Sequence, residues 1–357
     1  MKNIAFFIND IYSCGGTEKV VSLIANALSK WYNITIFSLY KSAEEPAFKI
    51  NSNVRIIPIF DHKFKNYRLL LPFFRWKIAK EIKKYVIDSF IVAGMKYVPF
   101  TYGLLKNVQY IAWDHNNTFS SAVCTRTWFG RVISSKYADK IVVLTDKDRQ
   151  ENIKRFKTNP SKIIRIYNPI EFIKEDNSNY DISSKMLLSS GRICHQKGFD
   201  MLVEVASLVF KKHPDWKWHI YGDGADKEKI QNLIDNASLN NNVILMGKTN
   251  KMNELYKEYA MFIMTSRYEG FAMVNIEAHY AKLPIVSFDC NCGPDEIIQD
   301  GINGYLIDCF NIDKMAEKIN YLIEHEEIRK QMSDNTMMDK EKLQPETIIN
   351  EWKEILR

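Results

Sequence analysis

The chain has 357 residues, of which 46% are hydrophobic and 26% are charged, and its formal net charge is +6. This composition excludes a disordered or fibrous chain, and the length favours two domains over a single core. The mildly basic balance is compatible with phosphate ligands or an anionic membrane surface, although a basic protein without a polyanionic partner has the same composition.

The pattern of apolar residues and cysteines excludes further classes of protein. The first apolar run, 4–8, ends at Asn9 and Asp10, so it reads as a strand and not as a signal peptide. No uncharged stretch approaches the length of a membrane span. The six cysteines lack metal-ligand spacing, which predicts reduced thiols in the cytosol and no zinc site.

Short apolar runs alternate with amphipathic segments through the first half of the chain. The predicted strands are 4–8, 34–39, 54–59, 90–93, 110–113 and 141–144. The clearest helix is 17–29, which places Val20, Val21, Ile24 and Leu28 on one face. Such alternation predicts a parallel sheet covered by helices.

A polar stretch then separates this half from a second half of the same kind. Asn168-Pro169 ends a strand, and 171–184 predicts a linker. Strands are predicted again at 186–189, 218–221, 243–246, 261–265, 285–288 and 305–307. We therefore predict an α/β protein with domains at 1–170 and 185–340, followed by a segment, 341–357, that forms a helix and packs back on the body.

The loop after the first strand, 13–18, contains two adjacent glycines. The dinucleotide fingerprint GxGxxG is absent, but Gly15 and Gly16 leave room for a phosphate or sugar at a helix start. A tight turn with Thr17 as the helix cap explains the same residues equally well.

A basic and aromatic segment, 63–84, follows in the first half. Its candidate membrane or acceptor residues are Lys63, Lys65, Arg68, Phe73, Phe74, Arg75, Trp76, Lys77 and Lys80, and a second patch adds Arg126 and Arg131. This pattern is typical of an interfacial helix or a lipid-phosphate site, and a core-packed helix with a solvated basic face is the alternative. We favour the membrane because Pro72-Phe73-Phe74 adds apolar bulk beyond one stripe.

Two polar motifs end predicted strands of the first half. His115, after the strand 110–113, is placed to bind a hydroxyl or move a proton, although a structural histidine fits as well. Asp146-Lys-Asp148 has the spacing of a metal-binding pair, but we interpret it as the acidic start of a helix. No metal is therefore expected.

The loops after the strands of the second half carry charges and glycines. Arg192 and Lys197 bracket a strand-to-helix loop, where an arginine fork and a mobile lysine suit phosphate oxygens, and a solvated charge pair is the plain alternative. The turn Gly222-Asp223-Gly224 allows close approach of a nucleobase or ribose, and Lys248 is a weaker candidate.

The segment 267–279 is the most informative part of the chain. Glu269 and Glu277 stand eight residues apart around a predicted loop-to-helix junction. Backbone N–H groups at that junction form an anion site, and its residues are Gly270, Phe271, Ala272, Met273 and Val274. Carboxylates beside it accept hydrogen bonds from hydroxyls, so the site fits a ligand that is both anionic and polyhydroxylated, and a nucleotide-sugar is one such ligand.

In this order, the motifs resemble those of the retaining glycosyltransferases of family 4, which have the GT-B fold of two Rossmann-like domains facing across a cleft. The resemblance covers nearly the whole chain and includes 15–18, His115, Arg192 with Lys197, Glu269 with Glu277, and 292–304. It departs at Asp114, where related enzymes often have glutamate.

The resemblance implies a role for each matched residue. Arg192 and Lys197 would hold the diphosphate of a UDP-sugar, so no metal or other cofactor is needed. Glu269 would bind donor-sugar hydroxyls, Glu277 the ribose, and His115 the donor sugar at the reacting centre. Gly15 and Gly16 would admit the phosphate and the acceptor.

The predicted function is transfer of a hexose or N-acetylhexosamine from a UDP-sugar to a lipid-linked glycan, with an α linkage, in surface polysaccharide synthesis. The expected partners are the donor, the acceptor and an anionic membrane surface, with no nucleic acid, and the expected location is the inner face of the cytoplasmic membrane. A sugar-nucleotide epimerase, a phosphorylase and a non-enzymatic acidic-lipid-binding protein are the alternatives.

Overall fold

The computed structural model describes residues 1–64, 71–119, 122–170, 180–336 and 340–357. The chain forms two compact units, one of Met1–Glu171 with Leu343–Arg357 and the other of Phe172–Lys342. Most of the predicted linker, 171–179, lies outside the described residues, as do Lys65 and Arg68 of the predicted membrane segment.

The first unit is built on a sheet of seven parallel strands in the order β3-β2-β1-β4-β5-β6-β7. The strands are β1 Asn3–Ile8, β2 Asn33–Tyr40, β3 Arg55–Phe60, β4 Ser89–Ala93, β5 Gln109–Trp113, β6 Lys140–Val143 and β7 Ile163–Arg165. The central strands β1 and β4 are buried almost throughout, as expected where helices cover both faces.

Helices cover this sheet with apolar stripes at helical spacing. They are α1 Gly16–Leu28, α2 Leu71–Ile82, α3 Val98–Thr101, α4 Arg126–Tyr137 and α5 Asp146–Phe156. In α2 the buried residues Phe74, Ile78 and Ile82 recur every four positions, so this face belongs to the core.

The second unit has six parallel strands in the order β10-β9-β8-β11-β12-β13. These are β8 Met186–Ser190, β9 Lys217–Tyr221, β10 Val243–Gly247, β11 Met261–Met264, β12 Ile285–Phe288 and β13 Gly304–Ile307. Its helices are α6 Phe199–Lys212, α7 Lys227–Asn236, α8 Met252–Leu255, α9 Met273–Tyr280, α10 Pro294–Ile297, α11 Ile312–Glu324 and α12 Glu326–Asn335.

The last helix, α13 Pro345–Ile355, belongs to the first unit. Its Trp352 is fully buried and packs edge-on against Trp113 at the end of β5, with ring centroids 4.7 Å apart. The side-chain amide of Gln109 donates a hydrogen bond to the carbonyl of Ile355 over 2.8 Å. The helix therefore completes the core of the unit in which the chain began.

The two parallel sheets confirm the predicted α/β class of paired Rossmann-like folds. Each predicted strand is present to within a residue or so at either end, and β7 is the additional strand whose end Asn168-Pro169 marked. Among the described residues, no helix has the length and apolar character needed to cross a bilayer.

Candidate functional site

The loops that carry the predicted donor residues meet at one edge of the second sheet. Strand β8 lies between β9 and β11, so the strand order reverses at β8. In parallel sheets the loops at the carboxyl ends of strands flanking such a reversal form a crevice that binds ligands. The β8 loop carries Arg192 and Lys197, and the β11 loop carries Glu269.

Lys197 and Glu269 form a close ion pair. The Lys197 Nζ lies 2.7 Å from the Glu269 Oε1, and the two side chains are 16% and 7% exposed. The side-chain amide of Gln196 donates to the Tyr268 carbonyl at 3.0 Å and lies 3.5 Å from Glu269 Oε2. The pair therefore joins the two loops with both charges mostly shielded from solvent, where electrostatic interactions are stronger.

A second ion pair, which the sequence did not indicate, holds the same loops together. Arg267 donates to both carboxylate oxygens of Asp200, over 2.8 Å and 2.7 Å, and to the carbonyl of His195 over 2.9 Å. The hydrogen bond from Arg267 lowers the pKa of Asp200. This bidentate contact fixes the turn that presents Lys197.

Glu277 accepts a hydrogen bond from a buried tyrosine. The hydroxyl of Tyr256, a fully buried residue before β11, donates to Glu277 Oε2 over 3.1 Å. Desolvation, and then the charge of Glu277, raise the pKa of Tyr256 well above its ordinary value, so the tyrosine remains a donor. Glu269 and Glu277 thus have different partners, as two separate hydroxyl acceptors would.

The glycines after β9 are required by close backbone packing. Gly222 has φ +144°, and a Cβ there would lie 1.8 Å from the Gly191 carbonyl oxygen. A Cβ on Gly224 would lie 2.2 Å from the carbonyl oxygen of Ile193. The β9 loop therefore rests directly on the β8 loop, and its predicted contact with a nucleobase or ribose stays a prediction.

The start of α9 offers fewer free N–H groups than the sequence suggested. Met273 N–H donates to the Phe271 carbonyl over 2.8 Å, so it is already bonded within the loop 270–274. Helix α9 has no side-chain cap, and Ala272 at its N-cap is buried. The anion site predicted over 270–274 can therefore not use Met273 in this conformation.

The remaining charged candidates of this unit are more exposed. Arg192 is exposed, and its guanidinium makes no ion pair with any residue of the described ranges. The Lys248 Nζ lies 3.6 Å from the Asp223 Oδ2, and the two side chains are 77% and 45% exposed. Both cations can therefore turn towards a bound anion at small cost.

In the first unit, His115 follows β5 and its ring packs at a tilt of 44° against Trp113, with ring centroids 4.2 Å apart. Its Nε2 is buried and has no hydrogen-bond partner among the described residues. Desolvation lowers the pKa of His115 to about 3, so the imidazole is neutral at physiological pH. A neutral ring can accept or donate one hydrogen bond at this nitrogen, according to its tautomer.

A buried ion pair fixes the loop that carries His115. The Arg131 Nε donates to the Asp114 Oδ2 over 2.6 Å, and both side chains are almost completely buried. Arg131 also donates to the Asn116 carbonyl over 2.7 Å, while Asn116 N–H donates to Asp114 Oδ1 over 3.0 Å. Asp114, which departs from the family pattern, is therefore paired with the buried Arg131.

Comparison with known proteins agrees with this arrangement. Residues 172–338 match the family described as glycosyl transferases group 1, and residues 14–172 match glycosyltransferase family 4. The chain is 33% identical to an uncharacterized glycosyltransferase of Haemophilus influenzae, over 100% of both chains. The chain belongs to the family 4 glycosyltransferases.

Two relatives with more specific names also align along the chain. The amylovoran biosynthesis glycosyltransferase AmsD of Erwinia amylovora is 29% identical over 100% of both chains. An α-1,4-N-acetyl-D-galactosaminyltransferase of Campylobacter jejuni, whose name includes an undecaprenol-linked glycan, is 24% identical over 100% of this chain and 98% of the relative.

Solved structures show that this glycosyltransferase has the predicted GT-B fold. Staphylococcus aureus TarM, in a complex with UDP, superposes with a TM-score of 0.83 at 19% identity over 100% of both chains. Anabaena HepE, in a complex with UDP and glucose, gives 0.82 at 16% identity over 99% of both chains. At these identities the likeness concerns the fold alone.

Two residues predicted to face a membrane in this glycosyltransferase are instead buried, and that part of the prediction is wrong. Phe74 is fully buried in the core beneath α2. Arg131 is fully buried in its pair with Asp114. Alternation of basic and aromatic residues does not show which face of a helix is covered, and here these two point inward.

Other predicted acceptor residues of the glycosyltransferase make specific contacts. Lys63 Nζ lies 2.9 Å from the carboxylate of the fully buried Asp10, at the end of β1. The guanidinium of Arg75 donates to the carbonyls of Pro99 and Tyr102 over 2.7 Å and 3.0 Å. Neither cation is simply a solvated charge.

Two aromatic members of the predicted surface are exposed on α2. Phe73 is 43% exposed and Trp76 is 56% exposed. Their rings stack with centroids 6.1 Å apart, and the Lys80 ammonium lies 5.2 Å from the Trp76 ring centroid. Lys77 is half-buried on the same helix.

The glycine loop of this glycosyltransferase lies against the carboxylate of Glu18, for which the sequence predicted no separate role. A Cβ on Gly15 would lie 2.3 Å from Glu18 Oε2, so that carboxylate covers Gly15, while nothing lies within 4 Å of a Cβ on Gly16. Desolvation raises the pKa of Glu18. The space beside Gly16 agrees with a small ligand approaching this loop.

Asp146 and Asp148 lie in the first turn of α5, as the interpretation as a helix start requires. Thr145 caps the helix by accepting from the Asp148 N–H over 3.0 Å, and the Asp148 carboxylate accepts from the Thr118 N–H over 2.8 Å. Within the described ranges, no three histidine, cysteine or carboxylate side chains cluster as metal ligands would.

Proposed function

We propose that this glycosyltransferase moves a hexose or N-acetylhexosamine from a UDP-sugar to a lipid-linked glycan, with retention and an α linkage. The observation that carries the proposal is the Lys197–Glu269 pair of 2.7 Å at the reversal of the strand order. It places a cation for phosphate beside a carboxylate for hydroxyls, which are the two chemistries of a nucleotide-sugar.

In this reaction the bond between the sugar C1 and the diphosphate oxygen breaks, and a bond from C1 to an acceptor oxygen forms. Negative charge grows on the diphosphate, which departs as UDP, and the acceptor hydroxyl releases its proton to the solvent, so the products are the glycoside, UDP and one proton. Arg192 and Lys197 would stabilise the departing charge in place of a metal ion, together with the N–H groups at the start of α9. No metal or cofactor is part of the proposal.

The two carboxylates would orient the donor. Glu269 would accept from hydroxyls of the sugar, while Glu277, held by Tyr256, would accept from hydroxyls of the ribose. Because Lys197 and Glu269 are in direct contact, the sugar and its diphosphate would be bound side by side. Neutral His115 would contact the donor sugar by hydrogen bonding, without carrying charge.

The relatives support this choice of substrates. AmsD is named for amylovoran biosynthesis, and the Campylobacter enzyme is named for α transfer onto an undecaprenol-linked glycan. The TarM and HepE complexes both contain UDP. We therefore propose surface polysaccharide synthesis, with the enzyme bound peripherally to the cytoplasmic membrane through the exposed face of α2.

The proposal is tested by two variants that remove one charge each. Arg192→Ala and Glu277→Ala are expected to lower kcat/KM for UDP-sugar transfer at least roughly 30-fold, or about 2 kcal/mol, because each removes a charge-assisted contact. The measurement uses radiolabelled UDP-hexoses and UDP-N-acetylhexosamines with a lipid-linked acceptor extract. Lys229→Ala, an exposed lysine on α7, is the control.

Turnover close to wild type in both variants would refute the donor site. Formation of an epimerised nucleotide-sugar without acceptor would favour an epimerase instead. Activity that disappears with EDTA and returns with a divalent metal would contradict the metal-free part of the proposal. Nuclear magnetic resonance of the product reports whether the linkage is α.

A further inference from the structure

The first unit contains an apolar groove between α2, α3 and α4. Its volume is about 860 Å³, within the range of roughly 300–1,000 Å³ that small-molecule sites occupy. Its apolar lining includes Leu71, Pro99, Phe100, Phe129 and Ile133. Phe129 is 46% exposed, so the apolar wall of the groove is open to a ligand.

The walls of this groove are held in place by specific contacts. Arg75 ties α2 to the end of α3 through the carbonyls of Pro99 and Tyr102. Helix α4 lies so close to the turn after β4 that a Cβ on Gly130 would be 1.9 Å from the Met95 carbonyl oxygen. The groove is therefore preformed by packing, which lowers the entropy cost of filling it.

Cations also line the groove, and one of them, Arg75, is already engaged by the carbonyls of Pro99 and Tyr102. Lys96 and Arg126 belong to its lining together with the apolar residues. Desolvation lowers the pKa of Lys96, while the nearby Glu18 raises it and the nearby Arg126 lowers it. Lys96 is therefore close to Arg126 and to Glu18, the carboxylate that covers Gly15.

The order of the strands places Lys96 at the same sheet edge as Gly15, Gly16 and His115, the residues of this unit predicted to bind the substrates. Strand β4 lies between β1 and β5, and Lys96 follows β4 directly. Gly15 and Gly16 follow β1, and His115 follows β5, so all three loops share the carboxyl edge of one sheet. A ligand with its tail in the groove would present its head at that edge.

We propose that this groove binds the aliphatic chain of the lipid-linked acceptor, with the anionic phosphate of that lipid held at Lys96 and Arg126. The inference rests on the proposed function, because it assumes a lipid acceptor, and it adds a chain-binding site separate from any membrane surface. An apolar tail joined to an anionic head matches an apolar groove whose lining includes cations, whereas a protein segment would not need this charge.

A soluble analogue of such a lipid tests the site without a membrane. Farnesyl diphosphate combines an apolar chain with a diphosphate, and inorganic pyrophosphate has the diphosphate alone. Calorimetric titrations are made with saturating UDP, so that the donor site is occupied. We expect pyrophosphate to bind at least about 100-fold more weakly than farnesyl diphosphate, because burial of each CH₂ contributes roughly 0.8 kcal/mol.

Two variants and a control locate the binding. Phe129→Glu places an anion on the apolar wall and is expected to weaken farnesyl diphosphate binding at least about 10-fold. Lys96→Ala removes a cation and is expected to weaken it as well. Val86→Glu makes the same chemical change at a residue that is 78% exposed and outside the groove lining, and should leave the affinity unchanged.

Three results would overturn the inference: an affinity no greater than that of pyrophosphate, no effect of Phe129→Glu, or binding that UDP abolishes. If the Phe129→Glu variant loses vesicle binding but keeps its affinity for farnesyl diphosphate, the groove contacts the bilayer and the inference is also overturned. If these tests overturn the chain-binding site while the wild type still glycosylates a lipid-linked acceptor, the proposed function stands. If chain binding is intact but no acceptor is glycosylated, the proposed function fails instead.

Discussion

Lys197 and Glu269 show how a single contact can prepare a site for two chemical groups. A buried lysine and a buried carboxylate each carry a desolvation cost, and their contact at 2.7 Å offsets much of it. Bringing a diphosphate to Lys197 and hydroxyls to Glu269 would replace this contact with ligand interactions. Loss of either residue would leave the other as an uncompensated charge, so Lys197→Met with Glu269→Gln is a better probe than either alone.

His115 gives a prediction about stability and pH. Its folded pKa, about 3, lies below the ordinary value of 6.5, so the unfolded chain binds a proton over this range that the folded chain does not. Stability is therefore lost as the pH falls below 6.5. As the pH falls from about 7.5 to about 5, this one group lowers the free energy of unfolding by up to roughly 2 kcal/mol.

The His115→Phe variant tests this directly. Its free energy of unfolding should fall less steeply with acid than that of the wild type, measured by urea denaturation at several pH values. His62→Phe, at an exposed histidine, should keep the slope of the wild type. Equal slopes for all three proteins would show that His115 is already accessible to protons in the folded state.

The site residues that could be predicted are those whose position is indicated by their neighbours along the sequence. Glu269 and Lys197 stand in loops that follow apolar runs, and short buried strands make such runs easy to place. The pairs Arg131–Asp114 and Arg267–Asp200 could not be predicted, because each joins residues from two elements whose separation depends on packing. Phe74 is misassigned because it is grouped with its exposed neighbours Phe73 and Trp76, although its spacing from Ile78 and Ile82 places it on the core face of α2.

At the scale of the elements, the short helix α13 contributes a fully buried tryptophan to the core of the first unit. Trp352 fills the space behind Trp113, two residues before His115, so the helix stabilises the strand end that presents this histidine. Trp352→Ala should lower the free energy of unfolding by about 3–5 kcal/mol, the usual cost of removing a fully buried aromatic ring. Chemical denaturation followed by circular dichroism measures the change.

Glu354→Ala, an exposed change on the same helix, is the control for α13 and should alter stability by less than about 0.5 kcal/mol. Trp352→Phe should be intermediate, because it keeps part of the ring contact. A loss of stability in Glu354→Ala as large as that in Trp352→Ala would show that helix formation, and not the tryptophan, stabilises the unit.

At the scale of the whole molecule, the proposed membrane association depends on the exposed face of α2. Phe73 and Trp76 are apolar and exposed, and Lys80 stands beside them. Phe73→Ser with Trp76→Ser should reduce binding to anionic vesicles several-fold in flotation assays, because two interfacial anchors are lost. Binding should also weaken as salt rises, since basic residues then attract the surface less.

Trp31→Ser is the matched control, because Trp31 is 44% exposed on the same unit but lies outside α2. It should leave vesicle binding unchanged. If the double variant binds vesicles as tightly as the wild type, the membrane surface lies elsewhere on the protein. The transferase chemistry would be unaffected by that outcome, because Phe73 and Trp76 are not among the residues proposed to bind the donor.

The return of α13 to the first unit also bears on how the protein is made. The ribosome synthesises all of the second unit before it reaches Trp352, so the first unit waits for its last core residue while its neighbour can already fold. During that interval Trp113 and the end of β5 lack their cover. Folding of the first unit during translation should therefore be completed late, although its sheet is encoded first.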